Sequence, residues 1–361
     1  MNNPYKDLDD HHFWRRAISA VDMHAVDPVV SPKFVIEKSD RVATAGSCFA
    51  QHISRRLSSI GFNYFVPESG ENLDPDKKLA LGYGVFSARY GNIYTVRQLL
   101  QTFEEAFGAR SKSESAWVRE DGRYVDPFRP AIEPAGFASP DDMQEARQIH
   151  MKHVRSVFLD ADIFVFTLGL TESWLSRTSG DVFPLAPGVS GGSYDSISYE
   201  FANFNIEDVV SDLRRFLSQL KCVNPKIRVL LTVSPVPLIA TFERRHVLTS
   251  TTYSKSVLRV AAEMVTAEFN WVDYFPSFEI ITGNFNAGRY YENDLREINS
   301  IGVSHVMRCF VRNYIASSSG AGRTTDAEVA NSPNDGIAAE QSHFRMDRVV
   351  CDEEMIERVS F

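Results

Sequence analysis

The run Ile163-Phe164-Val165-Phe166-Thr167-Leu168 constrains the fold more than any other stretch of the chain. Apart from Thr167 it is apolar without alternation, so a strand built from it is buried on both faces. Strands of that kind belong to parallel sheets that helices cover on each side. Val42-Ala43-Thr44-Ala45 and Ile227-Arg228-Val229-Leu230-Leu231-Thr232-Val233 read the same way. Phe62-Asn63-Tyr64-Phe65-Val66-Pro67 and Asn270-Trp271-Val272-Asp273-Tyr274-Phe275 are expected as shorter strands. Segments with helical spacing lie between them, at about 48–60, 96–103, 140–158 (with Ser139 at the N-cap and Pro140 at the first helical position), 206–221, 252–268 and 300–315. Strand and helix alternate from 42 to 315, which predicts an α/β fold with a parallel sheet between two helical layers.

Around that core the chain divides into an N-terminal arm at 1–40, an α/β domain at 41–315 and a tail at 316–361. An insertion is expected at about 109–138, where Asp121-Gly122 separates two aromatic segments as a hairpin turn would. The tail contains Ser317-Ser318-Ser319-Gly320-Ala321-Gly322 and is expected to be mostly disordered, with Val349 to Phe361 docking back as a small cap or helix. A net charge of −9 without a long basic run argues against nucleic acid as a partner. Cys48, Cys222, Cys309 and Cys351 are widely spaced, with no C-x-x-C pair, and predict neither a zinc site nor a disulfide framework. The opening Met1-Asn2-Asn3-Pro4-Tyr5-Lys6-Asp7 is polar and acidic, and no run approaches the ~18 apolar residues of a membrane span. A cytoplasmic protein without a membrane span is expected.

Chemistry is expected where strands end, because ligands of open parallel sheets bind at the carboxyl edge. Val42-Ala43-Thr44-Ala45 runs into Gly46-Ser47, with helical spacing resuming at Phe49, Ile53, Leu57 and Ile60. Glycine permits a sharp strand-to-helix turn, and the serine hydroxyl then stands beside free N–H groups of a helix start. That is the geometry of a nucleophile, and equally that of an ordinary serine N-cap. Cys48 is a second candidate nucleophile, with its side chain expected toward the core. Residues 175–205, rich in Gly, Ser and aromatics, read as a long loop with a small hairpin, and Trp174 and the aromatics of 194–204 read as packing before they read as the lining of an acyl or sugar pocket. Glu292, Asp294, Glu297 and Asp273 read as solvated acids before a metal site, and adjacent His11 and His12 diverge on a helix.

Gly46-Ser47-Cys48-Phe49-Ala50 resembles the motif that names the GSCFA family, bacterial proteins similar to the SGNH/GDSL hydrolases. The resemblance runs from about 40 to 315 through Tyr90-Gly91-Asn92-Ile93-Tyr94-Thr95, Thr167-Leu168-Gly169-Leu170-Thr171-Glu172-Ser173-Trp174 and Val233-Ser234-Pro235-Val236-Pro237. It implies a three-layer SGNH-like fold, no cofactor and no metal, and Ser47 as the nucleophile. Gly91-Asn92 and Thr171 then fall among the oxyanion donors, with Glu172 supporting and Thr171 replacing the usual asparagine. The terminal Asp-x-x-His of the superfamily corresponds to Asp294-Leu295-Arg296-Glu297, so Glu297 stands where the histidine belongs. A carboxylate is a far weaker base than imidazole, and another histidine is needed to take the serine proton. His246 lies on the loop leaving the strand that ends at Val233 and is preferred; His305, on the final helix, is second, with its side chain expected away from the core beside Arg308 and Arg312. Asp294 is the expected orienter. The implied function is a serine esterase or O-acyltransferase acting on an acyl ester, an acetylated carbohydrate among the candidates. The alternative is a carbohydrate- or partner-binding domain that has lost its base.

Overall fold

A computed structural model describes residues 3–316 and 351–357. Its centre is a four-stranded, all-parallel sheet of β1 (Val42–Gly46), β4 (Ile163–Leu168), β8 (Arg228–Val233) and β9 (Val272–Tyr274), in that spatial order. The remaining strands are short and antiparallel. β2 (Trp117–Val118) and β3 (Tyr124–Val125) form the hairpin of the insertion, while β5 (Glu172–Ser176) pairs with both β6 (Val182–Phe183) and β7 (Tyr199–Asn203). The helices are α1 (Ala50–Ser59), α2 (Pro75–Ala80), α3 (Val96–Ala106), α4 (Pro140–Asp160), α5 (Ile206–Val223), α6 (Val247–Glu268), α7 (Ser277–Thr282), α8 (Ser300–Tyr314) and α9 (Glu354–Glu357).

The unbroken burial of β4 has the expected cause. Phe164, Phe166 and Leu168 point into a core with α3, α4, α5 and α6, whereas Ile163 and Val165 point into a second core with α1, α7 and α8. A strand with helices on both faces has no side free for polar residues. Helix ends follow local chemistry. Ser139 caps α4 by accepting from Asp142 N at 3.1 Å, with Pro140 in the first turn, and Asn205 caps α5 in a reciprocal box with Asp208.

Two expectations are corrected. The strand expected at Phe62–Pro67 shrinks to a single parallel bridge, Val42 to Tyr64, on the free edge of β1. Residues 175–205, expected as a long loop with a small hairpin, contain most of a three-stranded sheet that begins in Glu172; Trp174 there packs against Tyr194, Phe201 and Phe242, with ring centroids 4.8–5.8 Å apart. The stretch expected to dock back as a small cap or helix carries the short helix α9. Residues 317–350 and 358–361 lie outside the described residues, but 351–357 dock against the domain.

The insertion is pinned to the main body by buried charge. Asp126 accepts from Arg147 Nη2 at 2.7 Å and from Arg129 Nε at 2.9 Å, and all three side chains are buried. Beside them, His150 Nδ1 meets Glu68 Oε2 at 2.7 Å. Burial alone would raise the Glu68 pKa, but His150, Arg129 and the Arg89 N–H outweigh it and hold it down to about 2. Burial, aided by the Arg129 charge, holds His150 down to about 4. Both groups therefore bind protons more weakly folded than unfolded, so their stabilisation is complete above about pH 6.5 and is lost as the pH falls through 4 toward 2. A urea midpoint that declines between about pH 6.5 and 4, and declines less in His150→Gln, is expected. A midpoint flat over that range would contradict it.

Candidate active site

β1 ends in a turn that only glycine can make. Gly46 has φ +133°, and a Cβ there would lie 2.7 Å from N and 2.9 Å from C of Thr167, its partner in the parallel ladder. Gly46→Ala is therefore expected to cost about 3 kcal/mol or more, from backbone strain and overlap with a peptide that cannot swing away. Denaturant unfolding measures it, and a loss below about 1 kcal/mol would mean that the turn relaxes freely.

Beyond the turn, Ser47 N donates to Thr167 O at 3.1 Å, and the carbonyls of Ser47 and Cys48 accept from Ala50 and Gln51. The helix α1 starts after Phe49, so Ser47 is not its N-cap. Ser47 is 3% exposed, and its buried hydroxyl has no hydrogen-bond partner among the described residues. A buried hydroxyl normally finds a partner, so an orphaned one demands an explanation.

Ser47 lies in a cavity of about 10 Å³ that Cys48, Tyr94, Gly169, Lys255 and Glu353 help to line. That is about the space one water needs. Gly169 is small by necessity, since a Cβ there would stand 3.1 Å from Ser47 Cβ and 2.9 Å from Tyr94 O. Lys255, on α6, donates to Gly169 O at 2.6 Å, and burial pushes its pKa down to about 8. The fourth side comes from the far end of the chain. Asp352 Oδ2 is 3.5 Å from Asn92 N, Glu353 pairs with Arg296 at 3.1 Å, and Glu353 N donates to Tyr94 Oη at 3.3 Å. Burial raises the Asp352 pKa to about 6, and burial with the nearby Cys351 charge raises that of Glu353.

The model of the GSCFA family matches residues 41–310, with the serine elbow inside it. The chain belongs to the GSCFA family. No curated protein matches it. Among solved structures it is similar to a Clostridium thermocellum family 3 carbohydrate esterase, at 10% identity and a TM-score of 0.33, over 76% of this chain and 94% of that one.

Within this GSCFA domain the expected residues part company. Ser47 and Asn92 are brought together: Ile93 N donates to Gly46 O at 2.9 Å, which ties the Gly91-Asn92 loop to the serine turn, and Gly91 takes φ +67°. Thr171 is buried, but its hydroxyl donates to Asn203 Oδ1 at 2.7 Å and its N–H to Ser254 Oγ at 3.0 Å. Glu172 accepts from Thr241 Oγ1 at 2.6 Å and holds the 238–246 loop. Cys48, expected toward the core, faces the cavity instead.

Neither expected histidine lines the serine cavity. His246 is the exposed N-cap of α6, its Nδ1 accepting from Leu248 N at 3.1 Å, because that helix begins five residues earlier than its apolar spacing indicates. His305 is 1% exposed, not solvated: Nδ1 meets Tyr290 Oη and Nε2 meets Val26 O, each at 2.8 Å. The N-terminal arm covers the helix face that was expected to be open. Asp294 is exposed and accepts from the backbone of Arg296 and Glu297, while the Glu297 side chain is also exposed. The residue of that block which reaches the site is Arg296, a side chain that the motif reading passed over. Lys255 and Glu353 were missed as well, for neither carries a local signal. Among the described residues no group of His, Cys, Asp or Glu could hold a metal ion, and no helix is long and apolar enough to cross a membrane.

Proposed function

We propose that the protein is a serine-dependent enzyme that cleaves or transfers an acyl ester, with Ser47 as nucleophile and an acetylated carbohydrate as the substrate class. One observation carries the reading: the Ser47 hydroxyl is buried at the carboxyl edge of the sheet with no partner among the described residues. A reacting hydroxyl is worth keeping in that state because an incoming carbonyl supplies its contact. Lys255 takes the proton, since no histidine lines the cavity among the described residues. Its depressed pKa keeps a useful fraction neutral near neutral pH. The Cys48 N–H receives the oxyanion, joined by the Asn92 amide once it parts from Asp352, whereas the Ser47 N–H and the Thr171 hydroxyl are donated to Thr167 and Asn203. Trp174, Tyr194 and Phe242 form an aromatic face with Tyr194 and Phe242 exposed, which suits the stacking of sugar C–H groups.

A fluorophosphonate probe tests the reading by labelling the wild type but not Ser47→Ala, with labelling in Lys255→Met strongly reduced. A second reading, binding without turnover, is favoured by the absence of any histidine among the residues lining the cavity. Absence of labelling in the wild type, with acetylated glycan binding retained by Ser47→Ala, would select it.

A further inference from the structure

The C-terminal residues 351–353 dock on the serine site residue by residue. Asp352 sits on Asn92, Glu353 on Arg296, and Cys351 comes against Cys48. Cys351 Sγ also lies 3.5 Å from Arg296 Nη2 and 3.9 Å from Tyr94 Oη, the tyrosine that lines the cavity with Cys48. Two thiols far apart in sequence thus meet beside a guanidinium, and one of them, Cys48, lines a cavity that has room for little more than a water. We infer that Cys48 and Cys351 form a dithiol site that a low-molecular-weight disulfide oxidises to an intramolecular disulfide, fastening the C-terminal segment over Ser47.

The chemistry favours a defined order. The hydrogen bond from Cys48, with the Arg296 charge, lowers the Cys351 pKa against the opposing effect of burial, so its thiolate is the attacking group. Cys48 has the opposite shift, raised by the same hydrogen bond and by burial, and remains the protonated partner. Cys351 is also the more exposed of the two. Its thiolate attacks one sulfur of the small disulfide, forming a mixed disulfide and expelling one thiolate. Cys48 then loses its proton and attacks the Cys351 sulfur, expelling the second thiolate. Two protein S–H bonds are replaced by one S–S bond, and the reagent leaves as two thiols carrying the two protons. Lys255, Arg296, Glu353, Asp352 and Tyr94 are the charged and titratable groups around the pair. The two cations favour the thiolate, and the carboxylates oppose it.

The formation of the bond is independent of the catalytic reading; its effect on activity rests on that reading. The full chain is treated with glutathione disulfide, free thiols are then alkylated, and the protein is digested without reductant for mass spectrometry. A peptide pair joining Cys48 to Cys351, two hydrogens lighter than the separate peptides, is expected in the wild type and in Cys222→Ser, and is absent in Cys351→Ser. Recovery of both cysteines alkylated, or each carrying glutathione with no joined peptide, would overturn the inference. Fluorophosphonate labelling of the oxidised protein is expected to fall severalfold and to return with dithiothreitol, while Cys351→Ser stays insensitive to oxidant. Undiminished labelling of the cross-linked form would overturn the closing role. A joined peptide with no labelling in either redox state would support the dithiol site and count against Ser47 as a nucleophile.

Discussion

Alanine in place of Ser47 is expected to abolish fluorophosphonate labelling and ester turnover while leaving the protein as stable as the wild type or slightly more so. The two halves of this result arise from the same atom. A nucleophilic oxygen has no substitute in the chemical step, so its removal costs several orders of magnitude in rate. In the folded state, however, Ser47 Oγ is buried and makes no hydrogen bond among the described residues. Burying an unpartnered hydroxyl costs on the order of 1–3 kcal/mol, and a methyl at that place carries no such penalty. Activity assayed with a chromogenic acetyl ester, beside a denaturant titration of both proteins, separates the two effects. A marked loss of stability in Ser47→Ala would mean that the hydroxyl has a structural partner, and the reading of Ser47 as a poised nucleophile would lose its support.

The largest structural effect is expected at Asp126. Its carboxylate holds Arg129 and Arg147 at once and also accepts from Phe128 N at 3.0 Å, with all of the charge out of solvent. Asp126→Ala leaves two guanidinium groups buried against each other near Lys112, whose own pKa burial already lowers. Removal of one partner from a buried pair costs about 3–5 kcal/mol, chiefly through the charge left behind. The loss should show as a lowered denaturant midpoint. Because the hairpin insertion hangs on this cluster, proteolysis of the 109–138 segment should rise in parallel. Asp126→Asn should recover part of the loss, since the amide oxygen still accepts from Arg147 but brings no charge. A cost below about 1 kcal/mol for Asp126→Ala would show that water reaches the arginines and that the cluster is not buried in solution.

The layers were legible because burial writes itself into local composition. Ile163–Leu168 is apolar without alternation because α4 and α5 pack on one face and α1 and α8 on the other, and no position is left to be polar. Ser139-Pro140 and Asp121-Gly122 marked a helix start and a hairpin because caps and tight turns are decided by a few adjacent residues. The β5–β7 sheet escaped notice because it is short, and its aromatics pack across strands in a pattern that local periodicity does not register.

The composition of the serine site was much less legible. Gly46-Ser47 is a contiguous signal, since backbone conformation and nucleophile are neighbours in the chain. The groups around it come from far away: Lys255 from the middle of a helix read as amphipathic, Arg296 from a block scanned for a histidine, and Cys351, Asp352 and Glu353 from a segment assigned to the tail. No spacing rule relates position 47 to 255, 296 or 353. Read alone, the chain specifies a parallel α/β sheet, its helical covers and a glycine-serine turn at the sheet's carboxyl edge. It does so because strand burial, capping and turn conformation depend on neighbours within a few residues. Which side chains reach that serine, and which histidines are held away from it, was decided only by tertiary packing. Burial energy and long-range charge pairing act between residues that local sequence cannot connect.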